Sequence, residues 1–251
     1  MPVFQSIRVQ MHDRPGALSA LGASLAASAV DIVRLDVVSN EGAMVVDDLY
    51  LRADTSADIR RAMGGFLDRF TATAFDGPEG DPALRMGASI LALLRASSQE
   101  AAWERTAEGA LGVVYGSAAY LLRVMPSGDI VPLSGSGLPI IRRDDPFAGR
   151  WALQHHSAAA FAGRGDWAPV ALREALTAQW IAVAPAGRSE ILMVVREPDM
   201  PFYAGELERL AAYAGAATAT LARYSDASCV PCFGAGRLNL PGDALLVPVP
   251  A

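Results

Sequence analysis

The chain contains no lysine. All 21 of its basic side chains are arginine, set against 27 acidic ones, for a formal charge of −6 over 251 residues. This excludes every chemistry that runs through a lysine amine: the P-loop, the kinase strand lysine, and the Schiff bases of pyridoxal-phosphate enzymes and aldolases. Cysteine is scarce too. Both copies, Cys229 and Cys232, lie near the C-terminus, so there is no disulfide scaffold. Three histidines leave few general acid–base options. Basic residues form no stripe, and with a net acidic chain no nucleic-acid partner is expected. No apolar run approaches the ~18 to 20 residues that span a bilayer. The alanine-rich stretch from Ala211 to Ala222 is broken by Tyr213, Gly215 and threonines. The N-terminus has no basic segment leading into an apolar one, so no signal peptide is expected. The expectation is a cytoplasmic protein without a membrane partner.

What is present is material for a core. Apolar residues make up 52% of the chain and charged ones only 19%, which suits one or two globular domains. Alanine, at 47 positions, is the commonest residue. With the arginine bias it fits a GC-rich coding sequence. The segment Asp76 to Pro82, DGPEGDP, is rich in turn residues and reads as a linker. It separates a first domain, 1–75, from a second, 83–225. Residues 226–251 form a Pro- and Gly-rich tail without helical period.

In the first domain Ile7, Val9 and Met11 alternate with Arg8 and Gln10, predicting a half-buried strand. Pro15 suits a first helical position, with Asp13 or Arg14 where a cap would be. Leu18, Leu21 and Leu25 give the helix an apolar stripe. Val33, Leu35 and Val37 mark a second strand. Asn40-Glu41-Gly42 is a hairpin signal, and Met44 to Arg52 a third strand. Ile59, Met63 and Phe66 share the face of a second helix, and Thr71 to Phe75 is a fourth strand. The order βαββαβ is that of a ferredoxin-like sandwich.

With that order around the turn Asp13-Arg14-Pro15-Gly16-Ala17-Leu18, the first 70 or so residues resemble an ACT domain. The resemblance implies a regulatory module that pairs with a second copy through its sheet, as a homodimer, and binds an amino acid. The residues it nominates are His12, Asp13, Arg14, Gly16, Ala17 and Leu18, with Asp31 and Ile32, which open the second strand. The family often has Asn where this chain has Asp31. Elementary chemistry agrees at the turn. Unpaired N–H groups at a helix start attract a carboxylate, and Gly16 lets a ligand approach the backbone. Asp13 either meets a ligand ammonium or caps the helix.

The second domain predicts a helix from Leu84 to about Ala107, strands at Ala119–Met125 and Ile130–Ser134 around a Pro-Ser-Gly-Asp turn, and a helical stretch from Pro146 to His155. Strands follow at Ala178–Ala184 and Ile191–Arg196, then a closing helix to about Tyr224 on which Leu207, Leu210, Ala214 and Ala217 form the apolar stripe. This order resembles a GAF domain, an antiparallel sheet flanked by helices. The resemblance implies a small-molecule pocket over the sheet, or a purely dimerising role. Its body holds no cysteine, which argues against covalent bilin attachment, and no cofactor is expected. Together the two resemble ACT–GAF regulatory proteins of GC-rich bacteria.

Other features were weighed for chemistry. Asp47 and Asp48 are adjacent, so in a strand they face opposite sides and cannot act as a catalytic pair. One of them points towards the helix side or an interface and needs a partner, which Arg34 or Arg8 on a neighbouring strand could supply as a structural ion pair. His155 and His156, about 100° apart on a helix, are poor joint metal ligands. Cys229-Val230-Pro231-Cys232 is a CxxC, which can ligate zinc or cycle as a dithiol; with no second pair and a Pro- and Gly-rich setting, a redox or metal protein is the lesser reading beside an incidental pair or a local disulfide. Trp151, Phe161 and Trp167 sit where the roof of the pocket is expected, as core or lining. Tail residues 244–250 carry Pro248 and Pro250 and suit an edge strand on their own domain or on a partner. The motifs DxDxT, GxGxxG, GxSxG and HExxH are absent. The expectation is a non-enzymatic sensor, with a ligand-free regulatory subunit or adaptor of a metabolic enzyme as alternative; neither catalytic nor metal-binding residues are expected.

Overall fold

Apolar–polar alternation makes the first strand, β1 (Val3–His12), and places Ile7, Val9 and Met11 on its covered face, each at most 2% exposed. The computed structural model describes residues 2–40, 43–66, 70–75, 82–135, 138–163, 168, 170–175, 179–196, 200–223 and 245–248. The chain divides into two units, Met1–Asp81 and Pro82–Ala251. The linker segment 76–81, Glu41 and Gly42 of the hairpin signal, Trp167, and both cysteines lie outside the described residues.

In the first unit β1 is followed by α1 (Ala17–Ala26), β2 (Asp31–Ser39), β3 (Met44–Ala53), α2 (Ser56–Phe66) and β4 (Thr71–Phe75). The sheet is antiparallel in the order β2-β3-β1-β4, so the βαββαβ sandwich is present. The apolar stripe of α1 differs from expectation. Ala17, Leu21 and Leu25 are buried, at a spacing of four, while Leu18 is 48% exposed. The cause is the helix start, one position past Gly16, which turns Ala17 inward.

The second unit runs α3 (Pro82–Leu94), α4 (Gln99–Val114), β5 (Ala118–Val124), β6 (Ile130–Ser134), α5 (Ala148–His155), β7 (Ser157–Ala162), α6 (Val170–Ala175), β8 (Trp180–Pro185), β9 (Glu190–Arg196), α7 (Ala204–Leu221) and β10 (Leu245–Pro248). Its antiparallel sheet has the order β10-β7-β8-β9-β5-β6. The protein is thus α+β, with two antiparallel sheets flanked by helices. The tail supplies an edge strand to its own unit: Leu245 to Pro248 pair with Ala160 to Ser157.

The single helix expected from Leu84 to Ala107 is two. Ser98 ends the first by starting the second, its Oγ accepting the N–H of Ala101 at 3.1 Å. Losing such a cap costs about 1 kcal/mol. Ser98→Ala is expected to lower the melting temperature of the second unit by about 2–4 °C in a thermal melt.

Both faces of this sheet are covered. Ala158, Ala160, Ala182, Ala184, Leu192 and Val194 pack with Leu207, Leu210, Ala211, Ala214 and Ala217 of α7 and with α3 and α4. The opposite face carries Phe161, Ile181, Val183, Ile191, Met193 and Val195 against Phe147, Ala148, Ala152 and Leu153 of the α5 region. β9 is buried along its whole length, which is why it reads as an apolar run without alternation. β7, SAAAFA, gave no strand signal, because alanine favours helix in isolation. Sheet pairing on both edges overrides that preference.

Candidate functional site

The turn between β1 and α1 is built around Gly16, whose φ of 88° is left-handed. Side chains other than glycine adopt that conformation at a cost of roughly 1–2 kcal/mol. Gly16, not Asp13 or Arg14, is the N-cap, and no side chain caps the helix. Pro15 therefore precedes the cap rather than opening the helix. The Asp13 N–H donates to Ala43 O at 2.9 Å and the Ala17 N–H to Arg14 O at 3.1 Å, which close the turn. Asp13, Arg14, Gly16 and Leu18 are exposed, Ala17 is buried, and His12 is exposed opposite Met44 at the end of β1. The capping role open to Asp13 is thus not used; Asp13 is exposed, three residues before the cap. A Cβ built on Gly16 meets no atom within 4 Å.

The structure does not bring Asp31 and Ile32 to this turn. Asp31 lies across from Arg52, which lies across from Phe4, while the turn follows His12. Phe4 and His12 are separated by about 27 Å of extended strand. The reason is topological: α1 carries the chain back along the sheet, so β2 starts at the opposite end. Asp31 instead pairs with Arg52 at 2.7 Å, and with it lines an open cavity of about 340 Å³ with Pro2, Ala29, Ala53 and Asp54. Ile32, 37% exposed, begins an edge strand on which Val33 and Val37 are exposed as well.

Asp47 and Asp48 do face opposite sides, and their fates differ. Asp48 accepts two hydrogen bonds from Arg8, Nε to Oδ1 at 2.8 Å and Nη2 to Oδ2 at 2.9 Å, with both side chains buried. Arg34 pairs with Asp36 at 2.9 Å. Asp47 is 1% exposed, and neither of its carboxylate oxygens has a hydrogen-bond partner. It lies across from Val9 on one side and Val37 on the other, so it shares the helix-covered face with Ile7, Val9, Met11 and Leu49. Burial, and then the charges of Asp48 and Asp13, hold its carboxyl above the ordinary carboxylate range. Sequence inspection pointed to the pair but not to which member would be stranded, because the phase of β3 against β1 is set by register.

In the second unit, the described aromatic residues near the expected pocket pack into the core. Phe147 and Phe161 are 0% and 1% exposed within one apolar cluster, and Trp151 packs partly against it. His155 stacks on Trp151 with ring centroids 4.5 Å apart and its Nδ1 lies 3.0 Å from Trp151 O. His156 ends α5 in the left-handed region, and both histidines are exposed. Among the described residues no three His, Cys, Asp or Glu side chains are grouped to hold a metal ion. Nor is any helix among them long and apolar enough to cross a membrane.

No protein-family model and no curated protein matches the sequence. Among solved structures, the chain is similar to the chromophore-binding domain of an unusual bacteriophytochrome from R. palustris. The two are 12% identical over 88% of this chain and 95% of that one, with a TM-score of 0.44.

Proposed function

We propose that the chain is a non-enzymatic regulatory protein whose first unit is an ACT-type module that binds an amino acid at the Asp13–Leu18 turn. The observation that carries this reading is the uncapped start of α1 at a left-handed Gly16, beside an exposed Asp13 that caps nothing. A helix start offers N–H donors and partial positive charge to a carboxylate, and Asp13 offers its charge to an ammonium. The module acts as a homodimer: β2 is a sheet edge bearing exposed Ile32, Val33 and Val37, a surface suited to pairing with a second copy. The second unit serves as a GAF-like platform. The burial of Phe147 and Phe161 supports the alternative of an adaptor or regulatory subunit without a ligand of its own.

Thermal melts of the full chain with each of the twenty amino acids separate the two. A ligand that binds only the folded state stabilises by about 2.7 kcal/mol at a hundred times its Kd. At least one amino acid is expected to raise the melting temperature at millimolar concentration. If none does, the sensor reading fails and the adaptor reading stands. In Gly16→Val the new side chain meets no protein atom, but the left-handed φ of 88° strains a β-branched residue, so the variant both distorts the turn and crowds the ligand. It is expected to remove the shift, and a shift that survives would place the site elsewhere.

A further inference from the structure

We propose that Asp47 is a specificity residue of that same turn site and that the ligand is a basic amino acid, whose side-chain cation meets the Asp47 carboxylate. The proposal rests on the reading of the turn as an amino-acid site. Its own foundation is the stranded acid. A buried carboxyl with both oxygens unpartnered is costly, and native interiors rarely retain one without a reason. Arg8 is committed to Asp48 and Arg34 to Asp36, and the groups whose charge bears on Asp47, namely Asp48 on its own strand and Asp13 in the turn, are both acids.

The placement fits a ligand anchored at the turn. Asp47 is three residues along β3 from Met44, which faces His12, so it sits about 10 Å down the strand from the turn. It lies on the helix-covered face, whose core includes Leu21 and Leu25 of α1 and Ile59 and Ala62 of α2. Val37, across from it on the neighbouring strand, is 60% exposed, so solvent comes within about one strand spacing, ~5 Å, of the carboxyl. Val9 and Val37 flank it and are apolar, as the methylene stem of a long cationic side chain requires. An amino acid with a neutral side chain brings one cation, which Asp13 satisfies. A basic one brings two and answers both acids. Asp47 keeps its proton to higher pH than an ordinary carboxyl; at a pH below its folded pKa, pairing with a cation ionises it and sends the proton to solvent.

Calorimetry on the full-length chain tests this with arginine and lysine against citrulline and norleucine, near-isosteric ligands without the side-chain charge, in two buffers of different ionisation heat. The expected result is at least tenfold tighter binding of a basic amino acid than of its neutral counterpart, with proton release for the basic one alone. Asp47→Asn, which keeps the shape of the side chain, is expected to erase both differences. Equal affinities in the wild type, or a preference and proton release that persist in Asp47→Asn, overturn the proposal while leaving an amino-acid site in place. If none of the four ligands binds but another amino acid stabilises the chain, the choice of ligand is overturned and the site reading stands. If no amino acid binds, both fall.

Discussion

Replacing Arg196 by methionine is expected to destabilise the second unit by about 3–5 kcal/mol, the cost of leaving one member of a buried ion pair alone. The Arg196 and Glu206 side chains are 1% and 0% exposed and meet at 2.7 Å. The guanidinium spends all its donors: Nε on Tyr115 O at 3.2 Å, Nη1 on Pro201 O and Glu206 Oε2, both at 3.0 Å, and Nη2 on Val114 O and Glu206 Oε1. It also lies 3.9 Å over the ring of Phe202. One side chain therefore ties the end of β9 to the last carbonyls of α4 and the first turn of α7, where Glu206 also accepts the Tyr203 N–H at 3.1 Å. In the methionine variant the Glu206 carboxylate remains at zero exposure with its charge unmet. A fall in melting temperature of about 10 °C follows for a unit of this size. The double variant Arg196→Met, Glu206→Leu removes both charges and is expected to recover part of the loss. Circular-dichroism melts of the three chains check this; a single variant that melts within 2 °C of wild type, by the scale above, means the pair does not hold these elements together.

Asp47→Asn is expected to do the opposite and stabilise the first unit at neutral pH: the amide is as unsatisfied as the acid, but it carries no charge to bury beside Asp48 and Asp13. The sign in pH follows from linkage. In the unfolded chain the carboxyl ionises near its ordinary value of about 4; in the folded chain burial and two acidic neighbours keep it protonated to higher pH. The native state then binds the extra proton, so stability present below about pH 4 is lost as pH rises through the folded pKa. The Asp48–Arg8 pair is common to both chains, so the difference between wild type and Asp47→Asn isolates Asp47. Urea titrations from pH 4 to 8 should show the variant's advantage growing with pH. A constant difference across that range would mean that Asp47 titrates at its ordinary value. A residue whose removal stabilises the empty protein while abolishing ligand preference would be one kept for binding.

Much of the first unit could be read from residue order. Alternation at Ile7–Met11 and the four-residue spacing of Leu21 and Leu25 are local signals, and local signals suffice for strands and helices with one solvent face. The cap at Gly16 was misplaced because proline and acids are common at helix starts, whereas a glycine's φ is not written in its neighbours. The family resemblance places Asp31 and Ile32 with the turn, whereas the helix between them takes them to the other end of the sheet. In the second unit β7 was invisible and β9 lacked alternation, because strands buried on both faces need no period of two.

The sequence by itself determined what chemistry is missing: without lysine, and with few cysteines and histidines, the chain could be sorted from its composition alone. It also determined the order of most elements, since each depends on side chains a few positions apart. Only the tertiary structure decided that alanines pack the small-residue seam between α7 and the sheet, that Arg8 answers Asp48, and that Asp47 is left without a cation. Those outcomes depend on which strand lies beside which and in what register. They are set by contacts between residues dozens of positions apart, which no local pattern encodes.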